Sequence, residues 1–112
     1  MNTEITNLAQ QLGDALLRNK ASVTTAESCT GGGVANAITG IAGSSQWFNR
    51  GFVTYANQAK HDMLNVPEAL LNDQGAVSED VVRAMVAGAA QAAEADYAVA
   101  ISGVAGPGGG TE

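Results

Sequence analysis

The sequence predicts an α/β fold in which helices pack on both faces of a mostly parallel sheet. Apolar, β-prone runs alternate with helical patterns in the order α, β, α, β, α, α, β, and this alternation is typical of parallel strands joined by crossover helices. Two of the predicted strands end in glycine-rich turns. Only 4% of the residues are aromatic, so small side chains dominate the apolar share and favour close packing of helices onto a sheet.

The helices are predicted from apolar residues that recur at helical spacing. In residues 3–19, where Thr3 suits the N-cap, the apolar face consists of Ile5, Leu8, Leu12, Ala15 and Leu16. Shorter helices are expected at residues 32–39, from an N-cap at Asn57, and from Pro67 in the first helical position to Gly75. Ser78 caps the last helix, whose apolar stripe consists of Val81, Val82, Met85, Val86, Ala89 and Ala93.

Three short runs rich in β-branched or apolar residues are predicted as strands. They span residues 21–26, 50–55 and 97–102, and the third is apolar enough to be buried on both faces. Three strands are few for such a sheet, and the sequence stops within a loop at Glu112. We therefore expect residues 1–112 to be a single domain that lacks its last strands and helix, which further sequence or a partner would supply.

Composition argues against several functions. The formal net charge is −6, and five Lys and Arg residues cannot form a broad phosphate-binding track, so no nucleic-acid partner is expected. One cysteine and one histidine leave no internal disulfide framework and no ordinary zinc site. No apolar run approaches membrane-spanning length and the N-terminus lacks a signal-peptide core, so a cytoplasmic protein without a membrane partner is the default prediction.

The stretch from Thr24 to Gly33 carries the chemical prediction, because a β-prone run here breaks into hydroxyls, a carboxylate, a thiol and glycines. The carboxyl ends of parallel strands lie side by side. The residues brought together there would be Glu27, Ser28, Cys29, Thr30, Tyr55, Asn57, Lys60, Ser102 and Gly103. A lysine whose pKa is depressed by burial can act as general base for a serine, and glycine N–H groups beside Ser28 could supply an oxyanion hole.

Several of these residues have a second interpretation. Ser28 and Thr30 could simply cap the helix that follows. Cys29 could be a buried small residue, or it could form a thiol–imidazole pair with His61. Glu27 could orient the turn or bind a group of a ligand.

Lys60 and Tyr55 could likewise be structural, the first as a solvated helix residue and the second as a core residue with its hydroxyl at the rim. Trp47 is interpreted as a packing anchor, because it lies in an apolar run. No glycine-rich stretch is followed by Lys and Ser or Thr, so the sequence has no P-loop. Binding of a mononucleotide phosphate at either glycine turn remains open.

Five ordered blocks of sequence carry a resemblance to a known family. They are Thr25-Ala26-Glu27-Ser28-Cys29-Thr30-Gly31-Gly32, Ile41-Ala42-Gly43-Ser44-Ser45, Gly51-Phe52-Val53-Thr54-Tyr55-Ala56-Asn57, Gly75-Ala76-Val77-Ser78-Glu79 and Ser102-Gly103-Val104-Ala105-Gly106-Pro107-Gly108-Gly109-Gly110-Thr111. They closely resemble the CinA C-terminal domain family, whose stand-alone members are nicotinamide-nucleotide amidohydrolases. Five blocks in the right order are far more specific than any single one.

The resemblance implies a three-layer α/β/α fold with a mixed sheet and hydrolysis of nicotinamide mononucleotide to nicotinic acid mononucleotide and ammonia in pyridine nucleotide salvage, without metal or cofactor. Ser28 would be the nucleophile and Lys60 the base, with Tyr55 aiding proton transfer. The loop of residues 106–110 would close over the nucleotide, and residues 30–33 would donate to the oxyanion. The substrate-binding and oxyanion positions would be Glu27, Thr30, Gly31, Gly32, Ser45, Asn57, Ser102, Gly103, Gly106 and Gly108.

The family continues past this point with further strands and a terminal helix that contributes a basic residue to the phosphate. The predicted partner is a small-molecule nucleotide, and self-association into a homo-oligomer is left open. A second hypothesis keeps the same fold without catalysis, as a nucleotide-binding or interaction module linked to competence or DNA damage.

Overall fold

The computed structural model describes residues 2–103. Its helices are α1 (Thr3–Arg18), α2 (Gly33–Thr39), α3 (Asn57–Leu64), α4 (Glu68–Gln74) and α5 (Glu79–Ala93), and its strands are β1 (Val23–Glu27), β2 (Phe48–Val53) and β3 (Tyr97–Ile101). All the helices and strands predicted individually are present, but three helices, α3 to α5, separate β2 from β3, one more than the predicted order counts. None of the helices in this part of the chain is both long enough and apolar enough to cross a membrane.

The three strands form a sheet in the order β2-β1-β3, and both pairs are parallel. At the carboxyl end of the central strand, Glu27 pairs with Val53 on one side and with Ile101 on the other. Because the strands are parallel, their carboxyl ends lie along one edge of the sheet, which we call the carboxyl edge. The loops that follow all three strands therefore begin at this edge, as predicted.

Alternate residues of β1 point to opposite faces of the sheet, and each face has its own core. Val23 belongs to a core shared with α1 and α2, together with Ala9, Leu16, Ile38, Ile41 and Trp47. Ala26 belongs to a core shared with α3, α4 and α5, together with Leu64, Val66, Leu71, Val81, Met85 and Ala89. Two helical layers therefore enclose the sheet, and the fold is three-layered.

Trp47 anchors the first of these cores. Its side chain is buried and packs over Gly13 of α1, so the prediction of a packing role is confirmed. In the second core, Gly88 of α5 lies against the carbonyl of Leu64 at the end of α3, and a Cβ on Gly88 would overlap that oxygen. This close approach fixes the helix that carries Lys60.

Some predicted boundaries are wrong by one or two residues. The N-cap of α1 is Asn2 rather than Thr3, because the Asn2 side chain accepts from the N–H of Glu4 at 2.7 Å. Asn57 is the first residue of α3 and not its N-cap, and Pro67 occupies the N-cap position of α4. The second strand begins at Phe48, two residues before its predicted start, and ends before Thr54.

The prediction that β3 is buried on both faces is wrong. Tyr97 is 59% and Val99 is 42% exposed. The reason is topological: β3 is an outer strand of the sheet in residues 2–103, and α5 packs on only one of its faces. On the other face, a largely apolar groove of about 570 Å³ runs past Val99 between α1 and α2.

Candidate active site

Two neighbouring polar side chains at the end of β1 lie on opposite faces of the sheet. Glu27 points toward α2 and Ser28 toward α3, as the two-residue period of a strand requires. The backbone here is held from both sides, because the N–H of Ser28 donates to Ile101 O at 2.9 Å and the carbonyl of Glu27 accepts from the N–H of Thr54 at 2.8 Å. The hydroxyl of Ser28 is therefore fixed at the carboxyl edge.

The Lys60 side chain reaches Ser28 from the first turn of α3. Its Nζ lies 3.1 Å from Ser28 Oγ, 3.2 Å from the carbonyl oxygen of Thr54 and 3.5 Å from that of Tyr55. Lys60 is only 1% exposed and Ser28 only 5% exposed. A solvated role for Lys60 is thus wrong, because α3 packs its Lys60 face against the sheet.

The surroundings of Lys60 favour the neutral amine. Within residues 2–103, no carboxylate forms an ion pair with it, and the three oxygens that contact it are uncharged. Burial lowers the pKa of Lys60, and the smaller, opposing electrostatic influence of the neighbouring Cys29 offsets this only in part.

A neutral amine has two N–H groups and one lone pair. The carbonyls of Thr54 and Tyr55 can only accept hydrogen bonds, so they take the two N–H groups of neutral Lys60. The lone pair can then accept the hydroxyl proton of Ser28, for which the alternative acceptor is the Tyr55 carbonyl at 3.4 Å from Ser28 Oγ. This is the arrangement that a serine and its general base require.

The turn after Ser28 offers main-chain donors, although two of its glycines have already used their N–H groups. The N–H of Gly31 donates to Ser28 O at 3.1 Å, and that of Gly33 donates to Thr30 O at 3.0 Å. In the described part of the chain, the N–H groups of Cys29 and Thr30 have no hydrogen-bond partner. The amides of Cys29 and Thr30 are therefore available as donors, and Thr30 belongs to the predicted range 30–33.

Two glycines let the turn close in this way. Gly31 and Gly32 have φ angles of +57° and +104°, in the left-handed region where other residues are strained. Gly32 is the N-cap of α2 and supplies no capping side chain. The missing cap is provided from β1.

That cap is Glu27, which is 1% exposed. One carboxylate oxygen accepts from Thr30 Oγ1 at 2.7 Å and from the N–H of Val34 at 2.8 Å, and the other accepts from the N–H of Ala35 at 2.9 Å. Burial alone would raise the pKa of Glu27, but these hydrogen bonds outweigh it and hold the pKa below its ordinary value. Both oxygens of Glu27 are thus engaged inside the turn.

Tyr55 contributes to the site through its main chain. Its carbonyl oxygen lies 3.4 Å from Ser28 Oγ and 3.5 Å from Lys60 Nζ, whereas its side chain is 64% exposed. A core role for its ring is therefore wrong. Asn57 lies nearby at the start of α3 and lines a polar cavity of about 180 Å³ with Gln58 and His61.

The third strand end closes the other side of the site. Ser102 Oγ donates to the carbonyl of Ala76 at 2.7 Å, which ties the end of β3 to the connection between α4 and α5. A Cβ on Gly103 would lie 3.3 Å from Cys29 Sγ, so Gly103 sits directly beside the thiol. The predicted positions Gly106 and Gly108 lie outside the described residues.

Ser45 is not brought to this edge. It belongs to a 3-10 turn, Ser44–Gln46, that precedes β2, and the amino ends of parallel strands lie at the opposite edge from Ser28. The six residues of β2 separate the two edges by roughly 20 Å at the usual rise per residue. Within one chain, the geometry therefore gives Ser45 no contact with the serine and lysine.

The alternative pairing of Cys29 with His61 is not formed. His61 Nδ1 lies 2.8 Å from the carbonyl oxygen of Val66, and Nε2 lies 3.1 Å from a carboxylate oxygen of Glu68. Both ring nitrogens are engaged within the α3–α4 region. Residues 2–103 also contain no group of three or more side chains that could together hold a metal ion.

Sequence reasoning missed the carbonyl groups of Thr54 and Tyr55. Thr54 is fully buried at the end of β2, and its oxygen is one of the two that orient Lys60. Almost every residue has the same main-chain groups, so residue types alone do not predict which carbonyls contact Lys60. The only available signal was position, since both residues end the strand that was predicted to lie beside Ser28.

Comparison with known proteins gives a consistent result. Residues 5–112 match the family described as the CinA C-terminal domain. The chain is 60% identical over 111 residues to "Nicotinamide-nucleotide amidohydrolase PncC" of Escherichia coli K12, covering 99% of this chain and 67% of that protein. A protein of the same name from Pseudomonas putida is 60% identical over 107 residues, covering 96% of this chain and 67% of that protein.

Solved structures show the same relationship. A competence/damage inducible protein from Agrobacterium tumefaciens superposes with a TM-score of 0.92 at 45% identity, covering 99% of this chain and 67% of that one. A CinA superfamily protein from Escherichia coli also gives 0.92, at 39% identity, covering 98% and 65%. The chain thus spans about two thirds of the length of the proteins that it matches.

Proposed function

Because this chain belongs to the CinA C-terminal domain family, we propose that it is an amidohydrolase that converts nicotinamide mononucleotide to nicotinic acid mononucleotide and ammonia. The printed names of relatives at 60% identity support this substrate. The observation that carries the mechanism is the buried contact of 3.1 Å between Lys60 Nζ and Ser28 Oγ.

The first step is attack by Ser28 on the carboxamide carbon. As the new C–O bond forms, the hydroxyl proton passes to the lone pair of Lys60, which the carbonyls of Thr54 and Tyr55 direct at Ser28. The carbonyl oxygen of the substrate becomes an oxyanion. The amides after Ser28 in the turn are placed to stabilise it.

The second step breaks the C–N bond. The Lys60 ammonium returns its proton to the leaving nitrogen, so that ammonia departs and the nicotinoyl group remains on Ser28 as an ester. Water then attacks this ester with Lys60 again acting as base, and Ser28 recovers its proton as the acid leaves. One water is consumed and one ammonia is released in each cycle.

The exposed groups at the carboxyl edge are proposed to bind the nucleotide. The side chains of Tyr55 and Asn57 project from the edge beside the serine. The Tyr55 phenol could assist proton transfer only after moving toward Lys60, so we assign it to substrate contact first. We further propose that this reaction serves pyridine nucleotide salvage in the cytoplasm.

The test is ammonia release from nicotinamide mononucleotide. Ser28→Ala is expected to lower kcat by at least about 10³-fold, because the nucleophile is lost. Ser44→Ala, in the turn at the opposite edge, is the matched control and should retain full activity. Full activity of Ser28→Ala would overturn the mechanism, and calorimetric binding of the nucleotide without any turnover by the unsubstituted protein would favour the non-catalytic module.

A further inference from the structure

Glu27 is a buried titratable group that takes no part in the proposed proton transfers. It is 1% exposed, and no cation forms an ion pair with it within residues 2–103. A buried charge in such a place is costly unless hydrogen bonds compensate for it. Its charge is balanced by donors of the turn and of the helix that follows.

The hydrogen bonds to Glu27 connect the two ends of the segment 27–35, which contains the amides of Cys29 and Thr30. Glu27 itself begins the segment, and Val34 and Ala35, whose N–H groups it accepts, end it. Thr30 lies inside the segment and donates its hydroxyl to the same carboxylate. The amides of Cys29 and Thr30 therefore lie within a loop that Glu27 closes from the other face of the sheet.

We propose that the Glu27 carboxylate is a positioning residue that holds the amides of Cys29 and Thr30 in the orientation required for the oxyanion. This role rests on the proposed function. Hydrogen bonds to an ionised acceptor are stronger than neutral ones, so the negative charge of Glu27 contributes to holding the turn. Misplacing donors by about an ångström strongly reduces the stabilisation that they give to a transition state.

A glutamine at position 27 would preserve the shape and remove the charge. It would keep one carbonyl oxygen, but its NH₂ group would face an N–H group that now has a carboxylate oxygen as partner. The turn would then shift to separate the glutamine NH₂ group from the main-chain N–H group that it faces. A carboxylate that only filled space would tolerate this substitution.

The test compares Glu27→Gln with Glu79→Gln by steady-state kinetics on nicotinamide mononucleotide. Glu79 also lies in the first turn of a helix, but its side chain is exposed and pairs with Arg83 on the surface of α5. Glu27→Gln should lower kcat by about 10²-fold and change KM by less than about threefold, since the donors act in the transition state. Glu79→Gln should leave both values unchanged.

An unchanged kcat for Glu27→Gln would overturn the proposal, and so would a loss that the unfolded fraction accounts for completely. Where Glu27→Gln does not fold, Thr30→Val and Thr30→Ser decide the question, because Thr30 is exposed and only the serine keeps the hydroxyl that Glu27 accepts. The kcat of Thr30→Ser should exceed that of Thr30→Val by about tenfold. Equal values would contradict the role.

Hydrogen exchange separates this inference from the proposed function. The amides of Val34 and Ala35 should exchange at least about tenfold faster in Glu27→Gln than in the unsubstituted protein, whatever substrate the protein hydrolyses. Unchanged exchange would overturn the positioning role by itself. Faster exchange in a protein without amidohydrolase activity would instead reject the proposed function and retain the structural device.

Discussion

Two buried ionisable side chains lie on opposite faces of the sheet at its carboxyl edge, and their surroundings differ. Within residues 2–103, the polar contacts of Glu27 are all with hydrogen-bond donors, whereas those of Lys60 are all with uncharged oxygens. Each is 1% exposed. The first environment suits a group that stays charged, and the second suits a group that gives up its charge.

The pKa values of both groups are lowered, but with opposite consequences. For Glu27, a lowered pKa means that hydrogen bonds keep the carboxylate ionised. For Lys60, it means that burial favours the neutral amine, which is the form of a general base. The difference teaches that burial alone does not define a catalytic group; the partners decide whether the charge is kept or released.

The largest expected effect comes from removing the group that exchanges protons. Lys60→Met, which preserves most of the side-chain volume, should lower kcat by about 10³-fold with little change in KM. Lys20→Met is the matched control, since Lys20 is exposed at the end of α1. Ammonia release measures both, and more than about a tenth of the normal kcat in Lys60→Met would mean that Lys60 is not the base.

A substitution in α5 should displace α3, the helix that carries Lys60, without touching the face of the sheet on which Glu27 lies. Gly88→Ala would ordinarily stabilise a helix by up to about 1 kcal/mol. Here the added Cβ would overlap the Leu64 carbonyl, so we expect the free energy of unfolding to fall by about 2 kcal/mol, together with a loss of activity as α3 moves. Denaturant unfolding and kinetics measure this, and an unchanged or raised stability would show that α3 and α5 are not in such close contact.

The Lys60 environment also predicts the sign of a pH effect on stability. Because its pKa is lowered on folding, the unfolded chain binds more protons between the folded pKa and the ordinary lysine value of about 10.4. Lys60 therefore opposes folding at neutral pH, and this opposition is lost as pH rises through that window. The free energy of unfolding should rise with pH more steeply for the unsubstituted protein than for Lys60→Met, and parallel curves would contradict it.

The smallest effect is expected at His61, the neighbour of Lys60 that lies outside the site. His61→Phe removes the contacts with Val66 and Glu68 and should cost about 1 kcal/mol of stability. Its kcat should stay within about threefold of the normal value, because neither ring nitrogen faces the serine. A fall in kcat of more than tenfold would indicate that the imidazole takes part in catalysis.

The sequence predicted the serine and lysine pair because that pair depends on rules of chain geometry. Strand alternation with helices implied parallel strands, and parallel strands bring the residue after β1 beside the residues after β2. Lys60 lies in the first turn of the following helix, which begins at the same edge. Each of these steps can be read from spacing and residue type.

The remaining details depend on contacts that residue types do not specify. Ser45 was placed at the site through resemblance alone, and the strand direction puts it at the other edge. The exposure of Val99 depends on which helices cover β3. Which amides could serve an oxyanion depends on which of them the turn has already used: the N–H of Gly31 donates to Ser28 O, whereas that of Cys29 has no hydrogen-bond partner within residues 2–103.

The most direct test of the pair is a double-mutant cycle with Ser28→Ala, Lys60→Met and the double variant, all assayed by ammonia release from nicotinamide mononucleotide. Two residues that act as one unit give a double variant no slower than the slower single variant, because the second substitution removes nothing further. We expect this result. Losses that multiply, so that the double variant is slower than either single variant by the full factor of the other, would contradict the proposed serine–lysine mechanism.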